Sequence, residues 1–190
     1  PAATTAAGKV VLRVNKLLQC RRRLKVDGPQ GVVLEIVGDG TLKTPVIEGT
    51  VLRGVDPKTG AARPDMVLRR GDVIVKMKNR QEIENLVVDA SSFAAVSPVD
   101  VKILDVTVAT DAVFQADVSA RSACVRAAGR IITGTSCSMH LSAAGKHSFT
   151  AGERFQQSGS LLIAPGSEVA ISAFDVLCEG RIDLQGYAVG

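Results

Sequence analysis

The sequence predicts an all-β protein, an antiparallel β-sandwich or barrel of jelly-roll-like plan with little helix. Three observations carry this. Valine (26) and isoleucine (10) together outnumber leucine (15) by more than two to one, and 11 threonines add to the β-branched total. Such side chains lose rotamer freedom in a helix and pack well on a pleated surface. Apolar and polar residues alternate with period two over many short runs, as half-buried strands require. Between the runs stand clusters of Gly, Pro, Asp and Ser, which mark turns at the spacing of sandwich strands.

Taken in order, residues 9–14 read as a strand followed by a basic segment. Val10, Val14, Leu17, Leu18 and Leu24 also fall near helical spacing, but the valines are poor helix formers. Residues 31–37 form a strand, Gly38-Asp39-Gly40 a tight turn, and Thr41-Leu42 the start of a second strand. Residues 45–53 are a further strand candidate, and residues 54–65, with two prolines and two glycines, read as a loop. In residues 73–78, Val75 and Met77 oppose Lys76 and Lys78, giving a half-buried strand with a basic outer face. Residues 81–88 are the remaining helical candidate. From Val99 onward the apolar face switches at Ile103-Leu104, as a β-bulge would produce. Residues 168–173 and 181–185 alternate cleanly near the end. No repeat at a fixed period is read from the chain.

Charged residues make up 22 % of the 190 residues and mean hydropathy is +0.20, which excludes a disordered chain. No apolar run approaches the roughly 18 to 20 residues that span a bilayer, so no membrane partner is expected. The first seven residues lack the pattern of a signal peptide, so Cys20, Cys124, Cys137 and Cys178 are expected to be reduced thiols. Charge divides the chain. Residues 1–92 carry 16 Lys and Arg against 10 Asp and Glu, whereas residues 93–190 carry 7 against 9. Every aromatic, Phe93, Phe114, Phe149, Phe155, Phe174 and Tyr187, lies in the second part. The expected organisation is a basic N-terminal segment over residues 1–30 and a β-sandwich or barrel over 31–190. A possible seam at residues 89–98 divides two small β modules.

Candidate chemistry is sparse. The cysteines show no C-x-x-C pair, and Cys137-x-x-His140 with His147 and Cys124 is the only mixed cluster, so no metal is expected. Neither histidine stands in a recognisable nucleophile motif, and no phosphate-binding glycine loop occurs. No catalytic residue, cofactor or enzyme activity is expected. The basic residues are more informative. Arg13, Lys16, Arg21, Arg22, Arg23 and Lys25 place six cations before the first acid, and Arg69, Arg70, Lys76, Lys78 and Arg80 form a second set. These are the candidate nucleic-acid contacts. Without aromatics in residues 1–92 they would hold backbone phosphates by charge and would not stack bases.

The basic residues 21–25, the regularly spaced strands and the closing run 180–189 resemble virion structural proteins of the jelly-roll or β-barrel kind. That resemblance implies a capsid, decoration or tail component, located in the virion. A second resemblance lies in Glu48-Gly49-Thr50-Val51-Leu52-Arg53-Gly54, followed by Leu68-Arg69-Arg70-Gly71-Asp72-Val73-Ile74-Val75. These runs are similar to the barrel domain of translation GTPases and imply a cytoplasmic module that binds RNA backbone. The expected function is a non-enzymatic structural protein that self-assembles or decorates a particle. Its expected partners are copies of itself, other virion proteins, and nucleic acid or an acidic partner on the basic half.

Overall fold

The computed structural model describes residues 9–22, 24–25, 32–38, 40–48, 52–55, 62–68, 71–77, 81–90 and 92–185. Among them the chain winds as a β-solenoid of stacked coils, and every strand pairing but one is parallel. The first coil holds β1 (Lys9–Arg13), β2 (Leu17–Gln19) and β3 (Leu24–Lys25), and the second holds β4 (Val32–Gly38), β5 (Thr41–Lys43) and β6 (Val46–Glu48). An inserted antiparallel pair follows, β7 (Leu52–Val55) with β8 (Ala62–Leu68). The third coil is β9 (Gly71–Met77) and β10 (Gln81–Ala90), the fourth β11 (Ser92–Ala95) and β12 (Val99–Val108), the fifth β13 (Ala112–Phe114) and β14 (Val118–Ala127). The sixth comprises β15 (Ile131–Thr133), β16 (Ser138–Leu141) and β17 (Lys146–Ala151), and the seventh β18 (Arg154–Gln157), β19 (Ser160–Ile163) and β20 (Glu168–Ser172). The last described strands are β21 (Asp175–Cys178) and β22 (Arg181–Leu184).

Three faces result. The first is an eight-stranded parallel sheet in the order β1-β4-β9-β11-β13-β15-β18-β21. The second contains β2 and β5, the first halves of β10, β12 and β14, then β16, β19 and β22. The third contains β3, β6, the second halves of the same long strands, then β17 and β20. Each coil sends its inward side chains onto those of the coils above and below, so the core is a set of ladders. On the first face one ladder runs Phe93, Ala112, Ile131, Phe155, all buried. On the second, Val99, Val118, Met139 and Leu161 repeat the arrangement, and on the third Val88, Val106, Val125 and Phe149 do so. Phe93 packs on Phe114 at 5.5 Å between ring centroids and Phe149 on Phe155 at 5.7 Å, both tilted. One continuous apolar core extends from Val14 to Ile163.

The antiparallel sandwich or jelly roll is therefore corrected to a parallel solenoid. Alternation and turn residues are common to both, because period two says which face is buried and nothing about the direction of the neighbouring strand. Parallel neighbours need a crossover of a dozen or more residues. Here the rest of the coil is that crossover, as when the chain travels from Phe93 through β12 to Ala112, its partner on the same face. The expected hairpin at residues 31–42 is instead a corner, since β4 pairs with β1 and β9 while β5 pairs with β2. Gly38 makes that corner with φ of +138°, where a Cβ would strike the Val14 carbonyl. The expected bulge at Ile103-Leu104 is also a corner. Lys102 and Ile103 are both exposed there while the strand passes from the second face to the third. Residues 81–88 are strand β10, not helix, and no helix occurs among the described residues. The loop expected over 54–65 includes the end of β7 and the start of β8.

A repeat does exist. Phe93 pairs with Ala112 and Ala112 with Ile131, so these coils return after 19 residues. The next return, Ile131 to Phe155, takes 24, and the β7–β8 insertion separates Val33 from its partner Asp72 by 39. Variable corners thus hide the period from a fixed-spacing search.

Candidate functional site

The basic residues of the N-terminal coils occupy an outer edge of the stack. Arg13 ends β1, Lys16 stands at the corner before β2, and Arg21 and Arg22 lie between β2 and β3; all four are exposed. The Arg22 carbonyl accepts a hydrogen bond from the Thr44 hydroxyl at 3.3 Å, which fixes this corner to the second coil. Lys25 lies in β3 and Lys76 in β9. Arg23, Arg69, Arg70, Lys78 and Arg80 lie outside the described residues.

Where the second and third faces meet, the coils leave an open groove of about 640 Å³ running along the stack. Arg21, Lys43, Lys102 and Arg121 reach it from successive levels, beside Glu84 and Asp100. Lys102 is held by Glu84 at 3.0 Å, whereas Arg21, Lys43 and Arg121 have no acid partner among the described residues. The groove therefore sets four cations against two acids with no aromatic side chain, which suits an extended anion held by its backbone charges. Lys43, Lys102 and Arg121 escape a sequence reading because they are far apart in the chain. The available signal is that Lys102 and Arg121 are one coil apart at the same corner, and it becomes visible only once the coil length is known.

Of the groups marked for nucleophilic or metal chemistry, Cys137 and His147 are buried, Cys20, Cys124 and His140 are half-buried, and Cys178 is exposed. Cys137 is buried, and burial, with Asp117 nearby, pushes its thiol up to about 12. Cys124 accepts a hydrogen bond from the Ser148 hydroxyl at 3.2 Å. All four cysteines are free thiols. No three metal-ligating side chains converge among the described residues. His140 is half-buried beside a smaller cavity with Asp117 and Ser138.

His147 is buried and stands on the rung of the third face that Leu86, Leu104 and Ala123 occupy in earlier coils. Its Nδ1 accepts from the Ala123 N–H and its Nε2 faces the Ala143 carbonyl, each at 3.3 Å. That arrangement fits only the neutral ring carrying its proton on Nε2. Burial lowers the pKa from 6.5, opposed in part by the bond to Ala143. The unfolded chain therefore takes up a proton below about pH 6.5 that the folded chain refuses, and stability falls as pH drops through that point, by at most ~1.4 kcal/mol per pH unit. Denaturant midpoints measured between pH 7 and 5 are expected to show this loss, and His147→Leu to flatten the dependence. An unchanged slope in the variant would remove His147 as its source.

The C-terminal end of the stack is the other feature. Each inward ladder that is buried through the seventh coil ends on an exposed rung in the eighth. Phe155 is followed by Val176, 49 % exposed; Leu161 by Ile182, 47 %; Ile163 by Leu184, 53 %. Phe174 beside them is 93 % exposed. The outer edges of β21 and β22 have no strand partner among the described residues, so backbone N–H and C=O groups are presented together with apolar side chains. At the N-terminal end, Leu12, Leu18 and Leu24 are likewise only partly buried against the core. Comparison with family models, with curated proteins and with solved structures finds no match. The parallel coils replace the antiparallel plan on which the likeness to jelly-roll virion proteins rested, and no comparison identifies a virion protein. The two runs that resemble a translation-factor barrel, 48–54 and 68–75, lie partly outside the described residues.

Proposed function

We propose that this protein is a non-enzymatic structural subunit that associates with copies of itself through the ends of its coil stack. The carrying observation is the exposed final rung. Val176, Ile182 and Leu184 continue columns that are buried in the preceding coil, yet each is itself exposed. An apolar patch joined to open strand edges is a template for another strand of the same kind. Covering it with a second subunit continues the ladders that already hold the molecule together. Sedimentation velocity over a concentration series tests this. Species heavier than the 19.9 kDa chain are expected to grow with concentration, and Ile182→Asp with Leu184→Asp to hold the chain as a monomer. A wild-type chain that stays monomeric throughout would overturn the reading.

The groove gives such an assembly a cationic edge for an anionic partner, nucleic acid included. Removing Arg21 and Arg121 together is expected to lower the slope of log affinity against log salt by about two for a generic RNA. An unchanged slope would take the groove out of this role.

A further inference from the structure

We infer that the subunits stack head to tail, the first coil of one copy lying on the eighth coil of the next in unbroken register. The inference rests on the self-association proposed above and adds its polarity and partner residues. The occupant of the C-terminal end is a second copy of this chain, presented by its N-terminal coil.

Charge is the first argument. Residues 9–22 carry Lys9, Arg13, Lys16, Arg21 and Arg22 and no acid, whereas residues 164–185 carry Glu168, Asp175, Glu179 and Asp183 against Arg181. Lys146, Arg154 and Arg181 already pair Glu168, Asp175 and Asp183, which leaves Glu179 as the acid of this end without a cation among the described residues. Like ends would bring like charges together, and unlike ends bring opposites. A heterologous contact of this kind does not close on itself unless the rotation brings it round, and so builds a filament.

Register is the second. On the first face the pairings are continuous from end to end. Val10 pairs with Leu34, Leu34 with Val73, Val73 with Phe93, and the column continues through Ala112, Ile131 and Phe155 to Val176. Continuing the sheet places the next copy's Val10 on Val176, its Leu12 on Cys178 and its Lys9 on Asp175. One step beyond β21, Glu179 lies at the level of Ser158 through its N–H bond to the Gln157 carbonyl, and its column leads back to Arg13. A continued stack therefore sets Arg13 of the next copy on Glu179.

The chain already joins its own coils in this way. Glu84 pairs with Lys102, Asp111 with Arg130 and Arg154 with Asp175, at 3.0, 2.6 and 2.6 Å, each across consecutive coils. Arg13 on Glu179 extends the same rule across the boundary between copies.

The test is a charge-reversal cycle on the full chain, with Arg13→Glu, Glu179→Arg and the double variant, followed by sedimentation at low salt. Each single variant is expected to weaken self-association by about tenfold, and the double variant to recover most of it. Mixing the two single variants is expected to restore association with the two alternating along the stack, because the reversed end of each meets the reversed end of the other and the intact Arg13 of one meets the intact Glu179 of the other. Wild-type association that neither single variant weakens, or that the double variant fails to recover, would overturn the head-to-tail arrangement while leaving self-association standing. A monomeric wild-type chain would overturn both. Unchanged far-ultraviolet circular dichroism identifies variants that retain the fold.

Discussion

Phe149→Ala is expected to destabilise the protein by about 3–5 kcal/mol. Phe149 is fully buried on the third face, in register with Val125 before it and Ile171 after it, and its ring packs on Phe155 from the first face. Hydrogen bonds fix the spacing between coils, so the walls cannot close on the cavity as freely as two helices could. Each coil touches mainly its neighbours, and the loss is expected to be local before it is global. Amide exchange should accelerate most in β15 to β21, with a smaller effect near β10. Phe174→Ala is the control. That ring is 93 % exposed, and its removal from the isolated subunit is expected to change stability by no more than about 0.5 kcal/mol. Equal effects of the two substitutions would contradict the assignment of Phe149 to the core.

Gly159→Ala is expected to cost about 3 kcal/mol through overpacking. Gly159 sits at the corner between β18 and β19, where a Cβ would lie closer than 3.0 Å to the carbonyl oxygens of Cys137 and Gly134. Both are backbone atoms of the preceding coil, so only separation of the coils makes room. The same corner ties the coil above. The Gly159 carbonyl accepts from the Arg181 N–H at 3.0 Å and from the Gln157 side-chain amide, which also donates to the Arg181 carbonyl. Gly134→Ala offers the comparison, since its nearest contacts would be at 3.6 Å and the expected cost is below about 1 kcal/mol. Thermal melting of the two variants against wild type checks the difference. A Gly159→Ala protein as stable as Gly134→Ala would mean that the coils are not so closely stacked at this corner.

The β-rich composition, the strand at residues 9–14 and the inward positions of β12 were legible because side-chain alternation records burial directly. Val99, Val101, Leu104, Val106 and Val108 are all buried, on either side of an exposed Lys102-Ile103 pair. What alternation does not record is the identity of the neighbouring strand. A face switch inside one strand fits a bulge as well as a corner, and the distinction lies in its recurrence one coil later at Arg121-Ser122. The insertion before β9 and the uneven corners after β15 spread that recurrence over unequal distances. Of the site, Arg13 and Arg21 were visible as a basic run. The groove residues Lys43, Lys102 and Arg121, and the acids Asp175 and Glu179 at the far end, become neighbours or counterparts only when the chain is wound. The open end was the least legible feature. Residues 181–185 alternate like any strand, and nothing in that pattern says whether a further coil covers them.

Electron microscopy and fibre diffraction of the concentrated protein test the central claim most directly. Stacked subunits are expected to form filaments one solenoid wide, with a layer spacing of about 4.8 Å along the axis. The eight first-face strands among the described residues span about 38 Å along the axis at that strand spacing, which sets the expected subunit repeat. Discrete particles of a single 19.9 kDa chain at every concentration, or filaments whose strands run along the axis, would contradict it.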